Sequence, residues 1–209
     1  TANKQSVLSE TQEETTSDIQ ENEKTATQNQ EETKPVEEAV ASMPSMRVKL
    51  KNSDNTSFEH AKVIITCPDT FHIQSGTKEQ IFTGGQTVTI TPEHPFFQEG
   101  SLRVAWEGGF VVIDSVLGRG IGHEYEGVLD LYLSEQGIVI VNELPLEDYV
   151  SKVVPSEMPV SYGLEAAKLQ AVCARTYAYE RILHQKTIDN YGSFADDSVD
   201  YQVYNSAGY

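Results

Sequence analysis

A chain of 209 residues (23.2 kDa) makes one ordinary domain or at most two small ones, and excludes a large multidomain machine. Its 32 acidic against 15 basic residues give a formal charge of -17, which repels phosphate backbones and anionic lipid. Nucleic-acid and membrane-surface partners are therefore not expected, whereas a peptide, a sugar or a cationic partner is compatible. Cys67 and Cys173 stand far apart in unrelated contexts, so neither a disulfide framework nor a CxxC metal or redox motif is available. No stretch approaches the ~20 apolar residues of a membrane span, and the N-terminus lacks the charged and apolar blocks of a signal peptide.

Residues 1–42 contain no aromatic side chain and carry ten acidic and three basic residues, a net -7 of the chain's -17. Runs such as Thr11-Gln12-Glu13-Glu14-Thr15-Thr16 cannot bury enough apolar surface to offset chain entropy, so this segment reads as a disordered acidic tail. One reading makes it a flexible spacer to an N-terminal anchor that this chain lacks; the other makes it a solubilising tail with no partner. From residue 43 the composition changes. Val48–Leu50, Val63–Thr66, Thr87–Ile90, Leu102–Trp106, Phe110–Asp114, Val128–Leu133 and Ile138–Val141 are short apolar or alternating runs separated by turn residues, which predicts strands. Gly84-Gly85, Gly108-Gly109 and Glu135-Gln136-Gly137 punctuate them as hairpins are punctuated. Trp106, Phe96 and Phe97 are read as core, with a glycan groove as the other use.

The strongest helical signal runs from Gly163 to His184. Leu164, Ala167, Ala171, Ala174, Ala178 and Ile182 recur at steps of three and four and predict one close-packing face. Ser161 is the candidate N-cap. Lys168, Val172, Arg175 and Tyr179 form a second stripe, which would project two cations and a phenol together. Cys173 lies among small residues and reads as a packed thiol. The fold class expected is α+β, with a mostly antiparallel β region followed by a long Ala-rich helix.

The chemistry is sparser. Glu157 lies between Pro155 and Pro159 in Val153-Val154-Pro155-Ser156-Glu157-Met158-Pro159. Prolines fix the backbone and supply no N–H, so the carboxyl group is expected in a rigid, partly dehydrated loop. There its pKa would rise and suit it to general acid and base work; the plain alternative is a surface glutamate opening a helix. His60, His72, His94, His123 and His184 show no ligand spacing, so no metal is expected, and no cofactor motif is present. Gly118-Arg119-Gly120-Ile121-Gly122 lacks dinucleotide-binding spacing and reads as a turn. The acidic cluster Asp196-Asp197-Ser198-Val199-Asp200 does not fit a calcium loop and reads as a solvated loop.

Four blocks occur in order: Tyr125-Glu126-Gly127-Val128-Leu129; Val141-Asn142-Glu143-Leu144-Pro145-Leu146-Glu147-Asp148-Tyr149-Val150; Val153 to Pro159 followed by Glu165 to Ala178; and Tyr201-Gln202-Val203-Tyr204. This succession resembles the stage II sporulation protein D (SpoIID) / LytB family, which includes amidase-enhancer proteins. The likeness covers residues 119–209, after a tail at 1–42 and a strand-rich region at 43–118. The resemblance implies a peptidoglycan-active protein and, for the sporulation members, a lytic transglycosylase cutting glycan strands between N-acetylmuramic acid and N-acetylglucosamine. It implies Glu157 as the catalytic acid/base, with Arg175 and Tyr179 facing the cleft and Lys168, Gln170, Tyr177 and Gln202 as further substrate-orienting candidates. It also implies an extracytoplasmic, cell-wall location, glycan strands as partner, and a cell-wall amidase or other sporulation hydrolase as a second partner.

Where some relatives place zinc-binding cysteines, this chain has Ala195, Asp196 and Tyr201, so no zinc is expected. The family usually continues into a glycine-rich segment beyond Ala207-Gly208-Tyr209, so part of the cleft is expected to be missing. Ser161-Tyr162-Gly163 also replaces the usual Trp-Pro helix start. Three functions remain open at this stage: a glycan-cleaving enzyme using Glu157, a noncatalytic peptidoglycan-binding module that stimulates or localises an amidase, and a structural adaptor presenting Phe96, Phe97 and Trp106.

Overall fold

The computed structural model describes residues 43–116 and 123–205. The expected tail at 1–42, the Gly118–Gly122 turn and the terminal Ala207-Gly208-Tyr209 lie outside the described residues. The architecture is α+β, as the sequence predicts. One sheet orders its strands as β12 (Ala195–Asp196), β1 (Ser45–Leu50), β11 (Gly137–Pro145), β10 (Val128–Ser134), β7 (Leu102–Trp106), β4 (Phe71–Ser75) and β5 (Lys78–Phe82), and β2 (Glu59–His60) pairs with the far end of β11. A second sheet runs β6 (Thr87–Ile90), β3 (Val63–Thr66), β8 (Val111–Ile113) and β9 (Glu124–Tyr125). All these pairs are antiparallel except β1 with β12.

Alternation sets the faces. On β1, Met46, Val48 and Leu50 are fully buried while Arg47 and Lys49 point the other way. Five of the seven expected strands appear within a residue of their predicted ends; Val48–Leu50 is the second half of β1, and Ile138–Val141 is the first half of a strand, β11, that runs on to Pro145. The β4–β5 hairpin is an addition. Lys78-Glu79-Gln80 carries no apolar alternation, and the pair is held by its partner strand and by Phe71 stacked on Phe82 at 4.9 Å. Trp106, Phe96 and Phe97 pack, half-buried, against the shared core rather than forming an exposed patch.

Two helices complete the fold. α1 (Leu146–Glu157) takes in the Pro155–Glu157 stretch that the sequence reading places in a rigid loop. It starts directly after β11, has Glu147 and Asp148 in its first turn where the dipole favours acids, and buries Leu146, Tyr149, Val150 and Val153 on one stripe. α2 (Leu164–Leu183) matches the predicted helix, but its N-cap is Gly163 at φ +87° and Ser161 sits in the preceding 3-10 turn, Val160–Tyr162. Ala174 and Ala178 are fully buried and Ala171 and Ile182 half-buried, so the alanine face packs closely, as its composition requires. Leu164 is 70% exposed, having no neighbour to cover it in the first turn.

Cys173 is exposed, not packed: one residue from Ala174 is about 100° around the helix, enough to turn it outward. The acidic cluster is also not a solvated loop over its first part. Asp196, Asp197 and Ser198 are buried, Asp196 pairing with Lys49 in β12 and Asp197 accepting the Lys51 amide at 3.1 Å. No helix among the described residues is long and apolar enough to cross a membrane.

Candidate functional site

Glu157 is the last residue of α1, exposed, and not in the dehydrated loop the two prolines suggested. Pro155 sits inside the helix, and the chain leaves it only at Met158, whose amide still donates to Val154 O at 2.9 Å. The carboxylate is therefore open to solvent. What holds it is a hydrogen bond: the Val203 amide donates to Glu157 Oε1 at 2.6 Å. One residue away, Gln202 Oε1 accepts from the Tyr149 hydroxyl at 3.3 Å. On the other side, Asn205 Nδ2 donates to Ser156 Oγ at 2.6 Å.

The segment 201–205 thus lies along α1 and joins Glu157 to a buried aromatic cluster. Tyr204 stacks on Tyr149 at 5.5 Å, lies 6.2 Å from Tyr125, and donates its hydroxyl to Asn142 Oδ1 at 2.6 Å. Asn142 is fully buried and spends its two Nδ2 protons on Glu126 O (2.9 Å) and Val128 O (3.1 Å). Burial pushes the Tyr149 phenol well above its ordinary value, with Tyr177 and Glu157 adding to the push, so it stays a donor toward Gln202. Burial does the same to Tyr204 and Tyr125. Gly127 closes the arrangement at φ +88°, where an added Cβ would stand 2.2 Å from Glu143 O.

Of the residues singled out from sequence, Gln202 lies beside Glu157 and contacts Tyr149. Tyr177 neighbours the same phenol, and Arg181 stands over both the Tyr177 ring (5.6 Å) and the Tyr201 ring (5.2 Å). Gln170 falls on the Ala174–Tyr177–Arg181 side of α2 by spacing and is half-buried. Arg175 is elsewhere. Its Nε and Nη2 each reach Glu147 at 2.6 Å, in the first turn of α1, about 15 Å of helical rise from Glu157. That pair holds the Glu147 carboxyl below its usual range. Lys168 pairs with Glu165 at 2.8 Å, and Tyr179 is 47% exposed on that same flank. The two cations of that stripe are therefore paired with carboxylates, Lys168 within α2 and Arg175 on α1, on a different side of α2 from Tyr177.

Asn142, Tyr149, Ser156, Tyr204 and Asn205 were not singled out. The available signal was Asn142, a polar residue closing the apolar run Ile138–Val141. Glu143, its neighbour, serves the opposite face of the sheet: with Asp130 it accepts from Arg47 and Arg103 at 2.5–2.8 Å. Burial pushes Asp130 up, but the hydrogen bonds from Arg103 and Arg47 outweigh it and hold the carboxyl below its ordinary value. Cavities of about 500, 490 and 340 Å³ open at His60–Asp114, Pro92–Gln136 and Gln74–Arg103, and Glu157 lines none of them. Around Glu157 the surface is open: Val160, Tyr162 and Leu164, which follow it in the chain, are 88%, 68% and 70% exposed. Among the described residues no group of three or more His, Cys, Asp or Glu is placed to hold a metal ion.

Residues 134–208 match a family model described as SpoIID, stage II sporulation protein. Stage II sporulation protein D of Bacillus subtilis is 42% identical over 67 residues, covering 32% of this chain and 20% of that protein. The Bacillus amyloliquefaciens protein of the same name is 43% identical over 67 residues, with the same coverage. An uncharacterised protein of Brachyspira hyodysenteriae is 44% identical over 84 residues, covering 40% of this chain and 22% of that protein. The chain thus spans about a fifth of the length of these curated relatives. No solved structure matches it.

Proposed function

The chain belongs to the SpoIID family through residues 134–208, and from that premise we propose that it acts on the cell wall during sporulation, with Glu157 as the acid/base of a lytic transglycosylase. The substrate would be peptidoglycan glycan strands, cut between N-acetylmuramic acid and N-acetylglucosamine. The observation that supports this reading is the hold on Glu157: Oε1 accepts from the Val203 amide at 2.6 Å while the residue stays exposed. The amide keeps Oε1 as an acceptor, which leaves Oε2 to carry the proton that is given up and recovered.

One carboxyl suffices for this chemistry. Protonated Glu157 gives its proton to the glycosidic oxygen as the bond from that oxygen to C1 of N-acetylmuramic acid breaks, and N-acetylglucosamine leaves with a hydroxyl. The carboxylate then takes the proton of the C6 hydroxyl as that oxygen closes on C1, giving the 1,6-anhydro product. Glu157 ends as it began and no water is consumed, so a second carboxylate of the kind a glycosidase needs has no task here.

A second reading is favoured by the openness of the surface. Val160, Tyr162 and Leu164, three to seven residues after Glu157, are large apolar or aromatic side chains left exposed, which suits a noncatalytic peptidoglycan-binding module that stimulates or localises an amidase. Either role belongs outside the cytoplasm, with the chain tethered through a segment preceding residue 1. Incubating the chain and its Glu157→Gln variant with purified sacculi and amidase-treated glycan strands separates the two. Anhydro products from the parent chain alone support the enzyme; sedimentation with sacculi and no products from either supports the binding module.

A further inference from the structure

We infer that Asn205 is a positioning residue for Glu157, acting through Ser156; this rests on the reading of Glu157 given above. The last turn of α1 needs outside support, because Pro155 has no N–H and deletes the bond that would close on Ser151 O. A glutamate on an exposed last turn does not keep one rotamer through a single contact. The support present comes from one segment at two adjacent points: Val203 N–H on Glu157 Oε1 and Asn205 Nδ2 on Ser156 Oγ, both at 2.6 Å.

The direction of the second bond is fixed by counting protons. Ser156 has one hydroxyl hydrogen and donates it to Lys152 O at 2.6 Å, so toward Asn205 it can only accept. Asn205 must present its NH2, and its Oδ1 is left buried with no partner among the described residues. The residue is 5% exposed, so the atom is shielded from bulk solvent. A side chain chosen for packing alone would avoid that orphan acceptor. An asparagine here is explained by what its amide does: it ties Lys152 O, Ser156 and residue 205 into one chain that fixes the turn carrying Glu157, two residues from the amide that holds the carboxylate.

The test uses the full chain and a signal that does not depend on activity. An amide donating to a carboxylate shifts when that carboxylate titrates, so the Val203 amide resonance should move as pH is taken through the carboxylate range, and not in Glu157→Gln. Asn205→Asp keeps the shape but replaces the donor, and Ser156→Ala removes the acceptor on a helix that tolerates alanine. Each variant, with its tyrosine near-ultraviolet dichroism unchanged, should lose most of the Val203 titration amplitude. Release of anhydro products from sacculi should fall about tenfold or more. Full Val203 amplitude in either folded variant overturns the proposal. Absence of products from the parent chain would count against the transglycosylase, while the amide titration would still decide the role of Asn205.

Discussion

Arg175 grips Glu147 through two 2.6 Å hydrogen bonds, Nε to Oε1 and Nη2 to Oε2, in the first turn of the helix whose last residue is Glu157. The guanidinium braces the two helices at the end remote from the candidate acid/base. Both side chains are nearly half exposed, 41% and 45%, which places the pair in the range of about 0.2–1 kcal/mol. Arg175→Ala and Glu147→Ala should destabilise the chain alike within that range, and a double-mutant cycle in denaturant should return it as their coupling. Loss of sacculus binding in Arg175→Ala that Glu147→Ala does not share would instead assign the guanidinium to substrate.

Asn142 and Tyr204 form the buried polar centre beneath the site. Tyr204→Phe leaves Asn142 Oδ1 without its donor and should cost about 1–3 kcal/mol. Asn142→Ala strands the Glu126 and Val128 carbonyls and the Tyr204 hydroxyl together, and should cost more than Tyr204→Phe. Equilibrium urea unfolding of the two variants measures both, and equal costs would contradict the network.

Gly127 should not accept a side chain. At φ +88°, with an added Cβ 2.2 Å from Glu143 O and 2.8 Å from Leu144 Cβ, Gly127→Ala must move backbone as well as adopt a strained conformation. A loss of about 1–3 kcal/mol from backbone strain alone is expected, and the thermal midpoint reads it. Gly85, also at positive φ but with open space around its Cβ position, should lose less on the same substitution.

His60 predicts an acid-side loss of stability. The ring is 2% exposed, with Nδ1 3.0 Å from Ser115 O and Nε2 3.2 Å from Leu50 O. Burial lowers its pKa below the ordinary 6.5 and outweighs the two carbonyls and Glu59, which pull it up. The unfolded chain therefore takes up the proton more readily than the folded one, so stability is present above 6.5 and is lost as pH falls below that value toward the folded pKa. Thermal midpoints measured against pH should decline in this window, and His60→Gln should flatten that part of the profile.

Local pattern carried much of the fold. β3 and the Ile138–Val141 part of β11 are apolar runs, β10 keeps Leu129, Leu131 and Leu133 at alternate positions, and α2 declares itself through alanines three and four apart. α1 did not: its stripe of Leu146, Tyr149, Val150 and Val153 is short and ends in a turn that holds Pro155, a residue that ordinarily marks the end of a helix. The same proline made Glu157 look like a dehydrated loop residue, when it stands exposed at a helix end. Gln202 was legible as a neighbour only through its block, since nothing local in Tyr201 to Asn205 says that this segment returns 46 residues later to donate to Glu157. The Arg175 stripe shows the converse: its spacing was read correctly, but side chains that share a face can be taken by partners on another helix.

The central claim is that Glu157 moves a proton twice without water entering the product. The most direct measurement is digestion of sacculi in heavy-oxygen water, with mass spectrometry of the released muropeptides for the parent chain and for Glu157→Gln. Anhydro ends with no heavy oxygen from the parent chain, and no release from the variant, are the expected result. Heavy oxygen at newly formed reducing ends, or equal release from both chains, would contradict it.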